Sequence, residues 1–404
     1  MRRQILFLTL AFSLIFLLSI DNSIISKAYA MTSIYAVWDD EDIAGPFTTL
    51  EHANDIAIVV IGSKTYALVA AERDDGLQII DISTPASPLA VAAVTHNGTD
   101  ANGDTFTELD GAMSVTTAVI DGKTYALVTA KDSDGLQIID ISTPASPLAV
   151  AAVTCGLVEQ TPHCVGTENS TQGDHSNNLL NMADGIDTAV IGSSTYVIIA
   201  ANNGFVIIDI STPASPIIIR EFRDGESDGN GGTFTALLGA RDVATVVIGA
   251  NTYAVIASDR DDGVQIIDIS TPASPLAVWA VTDGEGAFTE LEGAERVTTV
   301  VVGASTYALV TAHASDSDQI TESGGVTIID ISTPASASFV AQIADGDTDA
   351  NGDAFTELDS AFGVNTVVVG GKTYALVTAF ASSASLDDGL QIIDISTPAS
   401  PLAV

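Results

Sequence analysis

The stretch that decides the fold is Leu136-Gln137-Ile138-Ile139-Asp140-Ile141-Ser142-Thr143-Pro144-Ala145-Ser146-Pro147, an apolar run followed by a proline turn. Its core, Asp-Ile-Ser-Thr-Pro-Ala-Ser, begins at Asp81, Asp140, Asp209, Asp268, Asp330 and Asp394, at spacings of 59, 69, 59, 62 and 64 residues. A period in this range marks a repeat architecture, in which one supersecondary unit is used several times.

One unit reads outward from that core. Met113 to Ile120 is β-branched and apolar, and Asp121-Gly122 is a tight hairpin signal before a second strand, Thr124 to Ala130. Asp132-Ser133-Asp134-Gly135 is a turn, and Leu136 to Ile141 is a strand apolar on both faces, hence buried between layers. The Ser-Thr-Pro-Ala-Ser turn then leads to a fourth strand, Leu148 to Thr154. Apart from the first residues, no stretch has helical periodicity. Four short antiparallel strands, repeated, describe the blades of a β-propeller, whose faces are both covered by neighbours. A β-solenoid is the alternative, but its coils are shorter than units of about 60 residues with three hairpin signals.

The unit resembles the LVIVD repeat of secreted and cell-surface proteins of bacteria and archaea. The resemblance rests on Leu77-Gln78-Ile79-Ile80-Asp81-Ile82-Ser83 with its Thr-Pro-Ala-Ser-Pro sequel, and on Thr65-Tyr66-Ala67-Leu68-Val69-Ala70 before it. It covers residues 31–404 and implies a β-propeller outside the cytoplasm, with no particular activity. The expected fold class is all-β, a six-bladed propeller of four-stranded antiparallel blades. Tyr35-Ala36-Val37-Trp38 matches the fourth strand at Leu276-Ala277-Val278-Trp279, whereas Leu402-Ala403-Val404 stops where another fourth strand begins. The N-terminal strand is therefore expected to complete the sixth blade and close the ring, which limits exposed edges. A truncated array is the rival.

The 404 residues carry 52 acids against 13 Lys and Arg, a net charge of −39, with 47% apolar residues. Such hydrophobicity excludes a disordered acidic chain, and the missing basic footprint excludes nucleic acid as an expected partner. Residues 1–30 read as a secretory signal: Arg2 and Arg3, an apolar run from Ile5 to Ile20, and Ala28-Tyr29-Ala30 for cleavage. An uncleaved anchor is the alternative, but the run is shorter than the ~20 residues that span a bilayer. Residues 31–404 are then expected as one propeller domain, secreted or at the cell surface, with no further membrane span. Cys155 and Cys164 are expected to form a disulfide. His163 and His175 raise a Cys2His2 metal site instead, at a spacing that fits no zinc pattern.

Strand order places most acids on one face, in the loops between second and third strands and in the connectors between blades. Such a face is either a solvated surface suited to saline surroundings or a calcium-binding one. The best calcium candidate is Asp347-Thr348-Asp349-Ala350-Asn351-Gly352-Asp353, with oxygen-bearing side chains at alternate positions, a glycine at the sixth and Glu357 beyond. A weaker copy holds Asp100, Asn102, Asp104 and Glu108.

The recurring tyrosines (Tyr66, Tyr125 and their equivalents) read as core packing rather than a binding platform. The Asp of the Asp-Ile-Ser motif reads as a turn cap rather than a catalytic group. Phe47, Phe106, Phe234, Phe288 and Phe355 are expected to anchor the connectors. Asn97-Gly98-Thr99 and Asn169-Ser170-Thr171 are glycosylation sequons. The connector from Cys155 to Gly185 is the long one, either a tolerated insertion or a functional loop.

No catalytic residues are assigned. Near-identical units repeat the same groups everywhere, and His52, His96, His163, His175 and His313 share no repeat position. The expectation is a noncatalytic binding, adhesion or envelope-scaffold protein whose partner is an envelope or extracellular protein or glycan. A calcium-dependent extracellular hydrolase of the lactonase or esterase kind is the alternative, on fold analogy only. A surface-layer component is a third reading.

Overall fold

The computed structural model describes residues 47–154, 180, 182–202, 204–313, 324–379 and 389–404. The segment read as a secretory signal, the strand expected to close the ring, both cysteines, His163, His175 and the Asn169 sequon lie outside the described residues.

The chain is a six-bladed β-propeller of four-stranded antiparallel blades, each sheet ordered as its strands follow in sequence. Blade 1 is β1 (Ala53–Ile61), β2 (Lys64–Ala71), β3 (Gly76–Asp81) and β4 (Leu89–Thr95). Blade 2 is β5 (Ala112–Ile120), β6 (Lys123–Ala130), β7 (Gly135–Asp140) and β8 (Leu148–Thr154). Blade 3 is β9 (Ala183–Ile191), β10 (Ser194–Ala201), β11 (Gly204–Asp209) and β12 (Ile217–Arg223). Blade 4 is β13 (Ala240–Ile248), β14 (Asn251–Ser258), β15 (Gly263–Asp268) and β16 (Leu276–Thr282). Blade 5 is β17 (Ala294–Val302), β18 (Ser305–Ala312), β19 (Gly325–Asp330) and β20 (Ser338–Ala344). Blade 6 is β21 (Ala361–Val369), β22 (Lys372–Ala379), β23 (Gly389–Asp394) and β24 (Leu402–Ala403). Blades 1 to 3 form one compact unit and blades 4 to 6 a second. In blade 6 the C-terminal residues make the first pairs of the fourth strand, Asp394 with Leu402 and Ile393 with Ala403.

Side-chain alternation along the strands explains how each blade buries both faces. In blade 2, Ala126, Val128 and Ile139 pack against blade 1 residues Leu68, Leu77 and Ile79. Their sequence neighbours Leu127 and Ile138 pack the other way, against Val197 and Ile199 of blade 3. Blade 5 repeats this in the second unit, with Val310 and Ile329 facing blade 4 and Leu309 and Ile328 facing blade 6. Burying such a side chain stabilises by roughly 1.5–3 kcal/mol, so neighbouring blades hold each other.

The Asp-Ile-Ser motif closes each unit locally. In all six copies the carboxylate accepts the N–H of the serine two residues on, at 2.8–3.0 Å. The other oxygen of Asp81, Asp140 and Asp394 accepts from Lys64, Lys123 and Lys372 at 2.7–2.8 Å. Tyr66 and Tyr125 are buried in the blade cores. Among the described residues no helix is long and apolar enough to cross a membrane.

Candidate functional site

The connectors are built first from their phenylalanines. Phe106, Phe234, Phe288 and Phe355 are buried. Phe288 sits between Trp279 and Phe339, with ring centroids 5.9 and 5.5 Å away. The residue after each phenylalanine docks on the third strand of the blade that follows. The N–H groups of Thr48, Thr107, Thr235 and Thr356 donate to the side-chain oxygens of Gln78, Gln137, Gln265 and Gln391 at 2.9–3.2 Å. Blade 5 has Thr327 at the glutamine position, and its cross-strand partner Gln342 takes over. The N–H of Thr289 donates to Gln342 at 3.4 Å, and Gln342 donates to Thr289 Oγ1 at 2.7 Å.

The calcium candidates stand in these connectors. Asp349 Oδ1 accepts the N–H groups of Asn351 and Asp353 at 2.7 and 3.0 Å, and its Oδ2 accepts that of Ala403 on β24 at 3.2 Å. Asp100 does the same with Asn102, Asp104 and Ala149 on β8. Asp228, in a loop that sequence reading did not single out, repeats it with Asn230, Gly232 and Ala277 on β16. Desolvation works against the charge of Asp100 and Asp349, but these amides hold both carboxyls below the usual range. Each carboxylate therefore pins its loop to the outer strand of the following blade. Asp347 Oδ2 accepts the N–H of Ala344. Asn102 and Asn351 bring their main-chain N–H groups to this arrangement, as do Asp104 and Asp353. Glu108 is buried, its carboxylate packed where a side chain on Gly135 would stand, and Glu357 lies against Gly389 in the same way. Burial pushes the Glu108 carboxyl up to about 7. No group of three or more His, Cys, Asp or Glu side chains among the described residues is gathered as a metal site would be.

A different position breaks the repeat. Within each unit the first strands of successive blades are neighbours, β1 with β5 and β5 with β9, then β13 with β17 and β17 with β21. In blades 1, 4 and 5 the side chain of the second residue of the first strand meets that of the first residue after the second strand, and this pair of positions changes chemistry from blade to blade. It is Asn54 with Glu72 in blade 1, Met113 with Lys131 in blade 2, Arg241 with Asp259 in blade 4 and Glu295 with His313 in blade 5. In the first unit Asn54 donates to Glu72 at 3.1 Å, and His52 and Lys131 also contact that carboxylate. The His52 hydrogen bond leads in holding Glu72 down at about 2.

In the second unit Arg241 reaches Asp259 through Nε at 2.7 Å and Nη2 at 2.5 Å. His313 Nε2 lies 3.2 Å from Glu295. Arg296 donates to the carbonyl of Arg241 at 3.1 Å, and its guanidinium stands 5.0 Å from the Phe362 ring centroid. Burial opposes the charge of Glu295, but His313, Arg296 and Arg241 together keep its carboxyl below the usual range. The same hydrogen bond raises His313 above its ordinary value. The carboxylates lie beneath and the cationic tips lie nearer solvent: side-chain exposure is 7% for Glu295 and 35% for His313, 12% for Asp259 and 32% for Arg241. Sequence reading named His313 without a role and did not single out this grouping. Its signal is the mismatch between units that otherwise agree.

The LVIVD repeat matches at residues 52–95, 120–154, 186–224, 240–283, 320–345 and 379–404. The chain belongs to the LVIVD-repeat family. No curated protein matches it. Among solved structures, this LVIVD-repeat chain is similar to a functionally unknown protein from Desulfotomaculum acetoxidans, with 14% identity, TM-score 0.50 and coverage of 88% and 84% of the two chains. It is similar to candidate 6-phosphogluconolactonases from Bacteroides uniformis and Bacteroides fragilis, each at 10% identity and TM-score 0.53. Coverage is 85% of this chain and 81% of that one in the first case, and 88% and 83% in the second. At these identities the likeness is one of fold.

Proposed function

We propose that the chain is a noncatalytic, exported repeat protein that binds a cell-envelope or extracellular partner, a protein or a glycan, as an adhesin or envelope scaffold. The observation that carries this reading is the blade-to-blade change of the inner pairs on a scaffold that otherwise repeats. Met113 and Phe362 occupy the same strand position as Arg241 and Glu295, so the fold does not require ions there. Buried ion pairs cost several kcal/mol of desolvation per ion. Their placement at one end of the inner strands is what a recognition surface needs: different groups, rigidly held.

The acid-rich connectors add electrostatic selection and are proposed to attract cations, calcium among them. Bound calcium would draw on Asp104, Asp353 and the remaining lone pairs of Asp100 and Asp349, whose carboxylates already accept main-chain amides. The test is binding of residues 31–404 to immobilised glycans and envelope fractions. Capture that falls at least tenfold in Arg241→Ala and Glu295→Gln supports the reading, and capture by no fraction sinks it.

A second reading, a calcium-dependent extracellular hydrolase, draws on the Glu295–His313 contact, in which a carboxylate orients an imidazole as it would orient a general base. Turnover of lactones or aryl esters that needs calcium and is lost in His313→Gln would favour it over binding alone.

A further inference from the structure

The opposite ends of the strands carry a second repeated feature, and here the units agree. All six Ser-Thr-Pro-Ala-Ser turns have the same build. The first serine accepts, through Oγ, the N–H at the start of the second strand at 2.9–3.0 Å. The N–H of the last serine donates to the threonine carbonyl at 2.8 Å in every copy. Proline supplies the fixed φ of the turn.

These bonds account for Ser, Pro and the main chain, but not for the threonine side chain. Thr84, Thr143, Thr212, Thr271, Thr333 and Thr397 are all exposed. Among the described residues, none of their hydroxyls makes a hydrogen bond to the protein. A residue before proline is held extended, and Thr333 has φ −125° and ψ 87°. Each threonine is thus displayed in an extended segment with a solvent-facing hydroxyl and a proline on its C-terminal side.

We propose that these six threonines are sites of O-linked glycosylation. Segments rich in Ser and Thr with Pro are typical acceptors of such sugars, and each turn holds two serines and a threonine around its proline. In the step, Thr Oγ1 attacks C1 of a sugar carried on a nucleotide- or lipid-linked phosphate. The Oγ1–C1 bond forms, the bond from C1 to the phosphate oxygen breaks, the phosphate departs with its electron pair, and the hydroxyl proton passes to a base of the transferase. The inference is independent of the binding reading above, since the turns and the inner pairs lie at opposite ends of the strands.

The test is mass spectrometry with electron-transfer fragmentation on the full chain isolated from the cells that make it. The expected result is hexose or N-acetylhexosamine increments on the turn peptides, localised to the threonine. Turn peptides at their unmodified mass, or carrying phosphate instead, would overturn the proposal. A chain with all six threonines changed to valine, made in the same cells, should lose the increments and keep its melting temperature. Increments persisting on the turns, or a variant that fails to fold, would show that the threonines are not the acceptors or are kept for structure.

Discussion

Asp75 Oδ1 accepts the main-chain N–H of Gly111 at 2.9 Å, joining the loop of blade 1 to the residue that opens blade 2. Asp134 makes the same bond to Met182, and Asp262 to Gly293. All six residues of these clasps have φ between 49° and 67°. Aspartate tolerates that region better than most side chains, and glycine adopts it freely. Asp75→Ala should therefore cost about 1–3 kcal/mol, because an inter-blade amide loses its acceptor. Met182→Gly should instead relieve about 1 kcal/mol of backbone strain. Denaturant unfolding of the two variants checks both signs.

Blade 5 offers a rescue experiment. Gln342→Ala should destabilise by about 0.5–1 kcal/mol by removing its hydrogen bonds with the exposed Thr289, for which water substitutes in part. Adding Thr327→Gln, which restores the arrangement of the sister blades, should recover most of that loss. A double variant no more stable than Gln342→Ala would show that the cross-strand exchange is not equivalent.

The loop aspartates should act on folding whether or not calcium is present. Asp349→Ala is expected to lower the melting temperature by a few degrees in chelator, since it removes acceptors of main-chain amides, and by more in calcium, where a proposed ligand of the ion is lost as well. In the unaltered chain, calcium is to be compared with sodium chloride at matched ionic strength. A calcium-specific rise in the midpoint would mean bound ions, and an equal rise would mean charge screening.

Glu108 should make stability depend on pH. Its folded value of about 7 lies above the ordinary carboxyl value of 4.5 because of burial. The native state thus binds the proton more tightly than the unfolded chain. Its contribution is fully favourable below pH 4.5 and is lost as pH rises through about 7. Glu108→Gln should be more stable than the parent by about 1–2 kcal/mol at pH 8 and no more stable at pH 4. Equal pH profiles for the two would refute this.

The Glu295–His313 pair has the opposite character on its acid limb. Glu295 is lowered and His313 raised. The pair's contribution is therefore greatest between the two titrations, is lost at low pH as Glu295 protonates, and is lost at high pH as His313 loses its proton. His313→Gln should remove the alkaline limb and weaken the acid limb, which Arg296 and Arg241 still sustain in part, as read from urea midpoints across pH.

How legible the fold was can be judged from particular residues. Asp140-Ile141-Ser142-Thr143-Pro144 announced its unit because the turn, the cap and the doubly buried strand are local events, encoded within about ten residues. The buried phenylalanines of the connectors were legible for the same reason, as large apolar residues in polar loops. Asp349 was legible as an oxygen-rich loop, but its partner Ala403 lies 54 residues away, and no spacing rule gives that distance. The carboxylates of Asp100 and Asp349, read in sequence as cation ligands, also accept amides of their own loop and of a fourth strand.

The sequence by itself determined the blade, its number of copies and the acid-rich connectors, because periodicity and turn chemistry act between near neighbours. Only the tertiary structure decided which side chains meet. Arg241 and Asp259 are brought together by strand pairing, as are Glu295 and His313, while the contacts of Arg241 with Arg296 and of Arg296 with Phe362 come from blade packing. Residues separated by a strand or a whole blade become neighbours only when the sheets are stacked, and the energies that then shift their protonation depend on that proximity and on burial.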